Sequence, residues 1–443
     1  MFAPILRDIV KLGWPVLIAQ LAVMVNGVID TVMAGRLSAA DLAAVGIGAS
    51  IYISIFITAM GVLIALTPVA AQLYGAGKLA EIGEEVRQSL WLGAVLAVIT
   101  FSLIYFPDPF LALAQTAPEV EEKTRSYLRS IAFGIPALLM FRVFYSFTTA
   151  VSKPRVIMLL NLVGLALKIP LNLVFVHGYL GMPALGGPGC AVSTAIIAWI
   201  LASAAWLVCR FDPAYRPFQV FARWSWPDWR GQLRLVHLGL PIGLNFLVDV
   251  TSFTFMALFI ARLGTASSGG HQIAANLTGL VYMMPLAMAS ASGVLTGQAI
   301  GAGDPRRARL TGFVGIGSGL FCACLVALAV WFGRESIAGL YTRDAEVKTV
   351  AITLLAYVAT YHLFDAVSAV AVSVLRGYKK TVVPMLYNIV ALWGLGLGGG
   401  YVLAFGPSTQ MGAAGFWIGG TAGMVLGCLL IVFYFLRVSR AAR

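Results

Sequence analysis

The chain has 443 residues, of which 60% are hydrophobic and 11% charged, and its mean hydropathy is +0.90. That composition excludes a soluble globular domain. The net charge of +12 sits in short basic clusters between apolar runs rather than on one basic face, which excludes nucleic acid as a partner.

Apolar runs of about 20 residues recur, each able to cross a hydrocarbon core of roughly 30 Å. The first, near 9–34, is too long for a cleavable signal peptide and is followed at once by a second, near 44–73. Four more lie near 88–106, 127–150, 156–176 and 189–209. A basic stretch from Arg210 to Arg234, with Pro213, Pro217 and Pro227, reads as a linker. Six further spans follow near 236–261, 271–300, 311–332, 348–375, 382–404 and 413–436. The expected fold class is an all-α integral membrane protein of twelve transmembrane helices. Its parts are an N-terminal six-helix lobe (1–209), a cytoplasmic linker (210–235) and a C-terminal six-helix lobe (236–443).

With both termini cytoplasmic, the inner segments hold 20 of the 30 Lys and Arg, from Arg7 and Lys11 through to Arg437, Arg440 and Arg443. The outer loops hold seven, and the spans hold Arg129, Arg142 and Lys168. This is the positive-inside bias, and it sets the orientation. The five cysteines (Cys190, Cys209, Cys322, Cys324, Cys428) lie in predicted helices without disulfide or zinc spacing, so they read as small core residues.

Shifted by 226 residues, the chain aligns with itself. Leu12-Gly13 and Pro15 fall on Leu238-Gly239 and Pro241; Arg36-Leu37 fall on Arg262-Leu263. Gln72 and Gly75-Ala76-Gly77 fall on Gln298 and Gly301-Ala302-Gly303, and Gly186 and Gly189 fall on Gly412 and Gly415. Six spans per half give both halves one orientation, so the lobes are expected to be related by a pseudo-two-fold axis along the membrane normal. Parallel repeats of this kind build secondary transporters. Proline bends, at Pro15, Pro136, Pro170, Pro241, Pro285 and Pro384, read mainly as structural.

Three of the 18 acidic residues fall within apolar spans: Asp30, Asp249 and Asp365. A carboxylate in hydrocarbon costs at least about 2.5–3.5 kcal/mol, so it marks an ion, proton or substrate site. Asn26 precedes Asp30 by one helical turn, Asn245 precedes Asp249, and Tyr361 precedes Asp365, so each acid shares a helix face with a second oxygen ligand. Such hard ligands suit Na⁺, or share a proton. A cationic substrate competing for the same carboxylate couples efflux of one to entry of the other. The repeat places Asp30 opposite Met256 and Asp249 opposite Val23, so the acids sit about 10 Å apart in depth. Lys168, mid-span in Lys168-Ile169-Pro170-Leu171-Asn172, needs a partner from the fold, and Asp30 is the candidate. An ammonium there could fill the space a metal ion needs; the alternative is a lysine that snorkels or bonds backbone carbonyls. Phe253, Tyr357, Tyr361 and Trp393 are candidate cation–π contacts, although most membrane aromatics are packing or interface anchors. His271 and His362 could join a proton path, with packing as the plainer role.

These residues resemble the multidrug and toxic compound extrusion family, in its NorM-type bacterial branch. The resemblance rests on Val28-Ile29-Asp30-Thr31-Val32-Met33-Ala34-Gly35 and on Leu238-Gly239-Leu240-Pro241 with Asp249-Val250-Thr251. Asp365 followed by Leu375-Arg376-Gly377-Tyr378, and Gln298 with Gly301-Ala302-Gly303, complete it. It covers essentially the whole chain. It implies a monomeric antiporter of the bacterial inner membrane, with no cofactor, that expels cationic aromatic drugs and dyes in exchange for inward H⁺ or Na⁺. It implies that Asp30 serves the N-terminal lobe with Asn172 nearby. It implies that Asp249, Asp365 and Tyr361 form a cation site in the C-terminal lobe, a possible Na⁺ site. Two departures stand out. Members often have Glu where this chain has Asp249, and Asn where it has Lys168, which favours protons over Na⁺ in the N-terminal lobe.

Two other classes compete. A lipid-linked oligosaccharide flippase handling an anionic pyrophosphate calls for a cationic cavity, and three mid-span acids oppose that. An intramembrane aspartyl enzyme calls for a motif such as Gly-x-Gly-Asp beside its acids, and none is present; no P-loop indicates an ATP-driven pump.

Overall fold

Hydrocarbon offers no partner to a free backbone N–H or C=O, so apolar runs cross it as helices that satisfy themselves. The computed structural model describes residues 2–114, 116–407 and 409–441; Met1 and the basic Arg443 lie outside them. The helices are α1 (Phe2–Gly35), α2 (Ala39–Leu63), α3 (Leu66–Gly75), α4 (Leu79–Tyr105), α5 (Asp108–Ala114), α6 (Pro118–Ala132), α7 (Ile135–Ala150), α8 (Pro154–His177) and α9 (Pro188–Phe211). After a 3₁₀ segment (Pro213–Phe218) come α10 (Trp229–Ala261), α11 (Thr265–Gly301), α12 (Pro305–Tyr341), α13 (Ala345–Gly377) and α14 (Val382–Asn388). A π-helical segment (Ile389–Gly399), α15 (Gly400–Phe405) and α16 (Gly412–Ala441) complete the order, with no strand among the described residues.

Among the described residues, eleven spans are long and apolar enough to cross a bilayer, and α6 with α7, bent by 48°, makes the twelfth. Each expected span is present. Several helices outrun their apolar cores: α4 starts at Leu79 and α10 at Trp229, ahead of the expected 88 and 236. Hydropathy ends where charge begins, whereas helical hydrogen bonding continues to the cap. Two prolines break helices as their geometry requires, because the ring meets the carbonyl four residues back. Pro136 stops α6 at Ala132, and Pro68 stops α2 before Ile64. Pro15, Pro170, Pro241 and Pro285 remain inside continuous helices.

The repeat is visible in local geometry. Gly77 and Gly303 take φ of +72° and +73°, values that suit glycine. The amides of Ala76 and Ala302 donate to the carbonyls of Gln72 and Gln298 at 3.0 and 2.9 Å, closing both helices alike.

Two compact units emerge from packing. One comprises residues 18–243, the other residues 1–17 with 244–443. The crossings fall inside α1 and α10, so these units differ from the expected lobes by two half-helices. In the 18–243 unit, α8 packs on α9 and α4 on α7. In the other, α11, α12 and α13 pack together, and α13 and the π segment both pack on α16.

Within the 18–243 unit the stretch after α9 is strapped to α4. Arg87 donates to the carbonyls of Gln219 and Val220 at 2.8 and 2.9 Å and to Ser225 Oγ at 2.9 Å. Trp91 Nε1 donates to the Ser225 carbonyl at 2.9 Å, and Gln88 bonds Trp226, Asp228 and Gln232. A Cβ on Gly83 of α4 would lie 2.2 Å from the Phe218 carbonyl oxygen, so only glycine admits this approach.

The cysteines divide. Cys190, Cys209 and Cys428 are buried, as expected of core residues; Cys322 is half-buried and Cys324 exposed. The last two lie on α12 among outward Phe321, Leu325 and Leu328. In a membrane span an apolar face needs no protein cover, so being apolar does not imply a place in the core.

Candidate functional site

In the 18–243 unit, α1 sets Asp30 against α8. Lys168 Nζ lies 2.8 Å from Asp30 Oδ1 and also donates to Thr194 Oγ1 at 2.6 Å and to the Cys190 carbonyl at 3.2 Å. An ammonium has three N–H donors, and these three acceptors use them all. Asn172, one turn after Lys168, donates from Nδ2 to the same Asp30 Oδ1 at 2.8 Å. Lys168 is 1% exposed and Asp30 9%, so the pair is buried. The structure therefore joins Asp30, Lys168 and Asn172. It does not join Asn26 to Asp30: Asn26 Oδ1 is buried without a donor among the described residues.

Thr194 and the Cys190 carbonyl, both on α9, were not among the expected site residues. A hydroxyl and a backbone oxygen carry no hydropathy signal, and only the packing of α8 on α9 brings them to Lys168.

In the unit of 1–17 with 244–443, Asn245 Nδ2 donates to Asp249 Oδ2 at 3.3 Å along α10. Asn388, the last residue of α14, donates to Asn245 Oδ1 at 2.8 Å, extending the amide relay. Asn388 was also missed, although an amide inside the apolar run 382–404 was a readable sign. Asp249 and Asp365 are half-buried and close enough for each to feel the other's charge. Tyr361 and Tyr282 stand in the field of both acids. Arg376, whose guanidinium lies 5.2 Å from the Phe246 ring, places a positive field on Asp249. No ion pair within 4 Å involves Asp249 or Asp365 among the described residues, in contrast to Asp30.

Beside the acids, Tyr361 belongs to an aromatic cluster. Its ring meets Phe253 at 6.1 Å and Trp417 at 6.2 Å, both edge to face. Ser252, Phe253, Tyr361, Leu392, Phe416 and Trp417 line a cavity of about 20 Å³, room for one water. Trp393 instead donates from Nε1 to the Val248 carbonyl at 3.3 Å and meets Phe255. His271 packs on Trp417 at 5.9 Å, and His362 is buried with neither ring nitrogen bonded among the described residues. Both histidines sit in packing positions.

Two further acids are buried outside this set, each spent on structure. Asp41 pairs with Lys123 at 3.0 Å and accepts the Gly187 amide at 2.9 Å, while Glu85 pairs with Arg234. No three His, Cys, Asp or Glu side chains among the described residues group as a metal site. A cation bound at Asp249 and Asp365 therefore relies on two carboxylates plus neutral oxygens.

Comparison with known proteins shows the family and the fold. A MatE family model matches residues 15–174 and again 241–402, starting at the two prolines that the repeat aligns. A probable multidrug resistance protein NorM of Aromatoleum aromaticum is 42% identical over 421 residues, covering 94% of this chain and 91% of that one. The multidrug resistance protein MdtK of Pectobacterium atrosepticum is 38% identical, covering 99% and 97%. Among solved structures, the eukaryotic MATE transporter AtDTX14 superposes with a TM-score of 0.90 at 19% identity over 100% of this chain and 99% of its own. The Vibrio cholerae MATE transporter VcmN in its bent form gives 0.85 at 20% identity, covering 100% and 98%. At those identities the structures speak for the fold alone.

Proposed function

The chain belongs to the MatE family of multidrug and toxic compound extrusion transporters, and on that premise we propose that it is a multidrug efflux antiporter. It exports cationic aromatic drugs from the bacterial cell across the inner membrane in exchange for inward H⁺ or Na⁺, by alternating access. The termini face the cytoplasm, it works as a monomer, and it needs no cofactor beyond the driving ion.

The observation that carries this reading is the contrast between its acids. Asp30 is neutralised by Lys168 at 2.8 Å, whereas Asp249 and Asp365 share a neighbourhood with no ion pair among the described residues. Two like charges in an apolar lobe repel, and a proton, a Na⁺ ion or an organic cation relieves that repulsion. Coupling therefore belongs to Asp249 and Asp365, with Tyr361 as ring and oxygen ligand and Asn245 as support. Asp30, Lys168 and Asn172 form a neutral polar unit that supports the N-terminal lobe.

The test is efflux of a fluorescent cationic dye from proteoliposomes under a pH gradient and, separately, a Na⁺ gradient. Wild type is expected to respond to at least one gradient. Asp365→Asn is expected to fold and insert normally yet lose gradient-driven efflux. Undiminished efflux by that variant removes Asp365 from the mechanism, and no dye movement by wild type under either gradient defeats the antiporter reading.

A further inference from the structure

The strap between α9 and α10 exposes an unusual surface. Trp224, Trp226 and Trp229 are 73%, 75% and 78% exposed, with Phe211 and Phe221 exposed beside them. The rings of Trp224 and Trp226 are fixed in place. Trp91 meets Trp224 edge to face at 5.7 Å and stacks with Trp226 at 6.3 Å, and the Arg87, Gln88 and Trp91 bonds hold the backbone beneath. Phe211 ends one span and Trp229 begins the helix of the next, so the strap runs where chain leaves hydrocarbon. Tryptophan prefers that depth because its ring is apolar and its N–H polar.

Charge decides what covers it. The strap region carries Arg210, Arg216, Arg223, Arg230 and Arg234 against Asp212 and Asp228. Arg223 and Arg234 pair with Glu84 and Glu85. Both aspartates are turned to backbone amides: Asp212 accepts from Ala214, and Asp228 from Arg230 and Gly231. Arg210, Arg216 and Arg230 are exposed and have no acidic partner among the described residues. A guanidinium fork matches a phosphate bidentately. A zwitterionic headgroup brings its own ammonium and leaves the three charges unbalanced, whereas an anionic headgroup balances them.

We infer that this strap is a docking surface for anionic phospholipid, with the tryptophans seated at the headgroup boundary and Arg210, Arg216 and Arg230 binding lipid phosphate. The inference is independent of the drug and the coupling ion, so it stands or falls apart from the transport reading.

The full chain is reconstituted in phosphatidylcholine vesicles that contain either brominated phosphatidylglycerol or brominated phosphatidylcholine at equal mole fraction. Tryptophan fluorescence is then read. Stronger quenching by the brominated phosphatidylglycerol is expected, and high salt should narrow the difference. Each Arg→Gln substitution is expected to weaken the anionic preference about fivefold, and Arg210→Gln/Arg216→Gln/Arg230→Gln to abolish it. A Trp224→Phe/Trp226→Phe/Trp229→Phe variant should lose the preferential signal, which locates it on the strap. Equal quenching by the two lipids overturns the inference, as does a preference that survives either triple variant. Quenching that is the same in wild type and in the tryptophan variant with either lipid means that protein, such as a second copy of the chain, covers the strap, and overturns it too.

Discussion

Lys168 is held by three acceptors, so it does not snorkel, and removing it isolates a buried carboxylate. Breaking one side of a buried ion pair typically costs about 3–5 kcal/mol, whereas removing both charges together is often close to neutral. Lys168→Met is therefore expected to destabilise the protein in detergent by about that free energy, seen as a lowered unfolding midpoint, and Asp30→Asn/Lys168→Met to recover most of the loss. Circular dichroism melts check both; a Lys168→Met protein as stable as wild type contradicts a structural pair. The partnership was legible in the sequence because a mid-span lysine and a mid-span acid in one half must be neutralised somehow. Its remaining ligands were not, because a carbonyl on Cys190 and a hydroxyl on Thr194 become ligands only through the packing of α8 on α9. Asn26 shows the opposite failure: a shared helix face permits a contact without making one.

At the scale of elements, the twelve spans were readable because bilayer thickness fixes a minimum apolar length, and Pro136 marked a break that the structure realises as a 48° bend. The π-helical segment was not readable. Its glycines signal weak helix in general, and the wider turn depends on how closely α16 approaches. A Cβ on Gly423 would lie 2.3 Å from the Ala391 carbonyl oxygen, while one on Gly420 meets nothing within 4 Å. Gly423→Ala is expected to destabilise by about 1–3 kcal/mol through overpacking, and Gly420→Ala to leave the melt unchanged. Equal behaviour of the two variants argues against the close approach. The strap offers a second check. Arg87→Ala removes charge-assisted bonds to two carbonyls and Ser225, so trypsin should cut after Arg223 about tenfold faster in the intact chain.

At the scale of the molecule, duplication gave the two halves one scaffold and left their chemistry distinct. One half neutralises its acid internally and the other gathers two acids beside an aromatic cavity. The sequence carried that asymmetry in Lys168, and it carried the scaffold in paired glycines such as Gly77 and Gly303, whose positive φ the structure repeats. It carried no sign that the packed units cross inside α1 and α10, because a continuous apolar helix reads the same whichever neighbours its two ends find.

That crossing has a consequence for how the protein is made. The 18–243 unit is complete once Gly243 has been synthesised, but residues 1–17 belong with chain that emerges only afterwards. Ile5, Ile9 and Leu12 pack against Met288, Val370, Val374 and Phe435, none of which exists when the amino-terminal end first enters the insertion machinery. The first half-helix must wait without its packing partners until the second half of the message has been read. In a background lacking the five native cysteines, Ile9→Cys should react with a thiol reagent in ribosome-bound chains stalled at Gly243. The same cysteine should be protected in released chains, where Ile9 is fully buried.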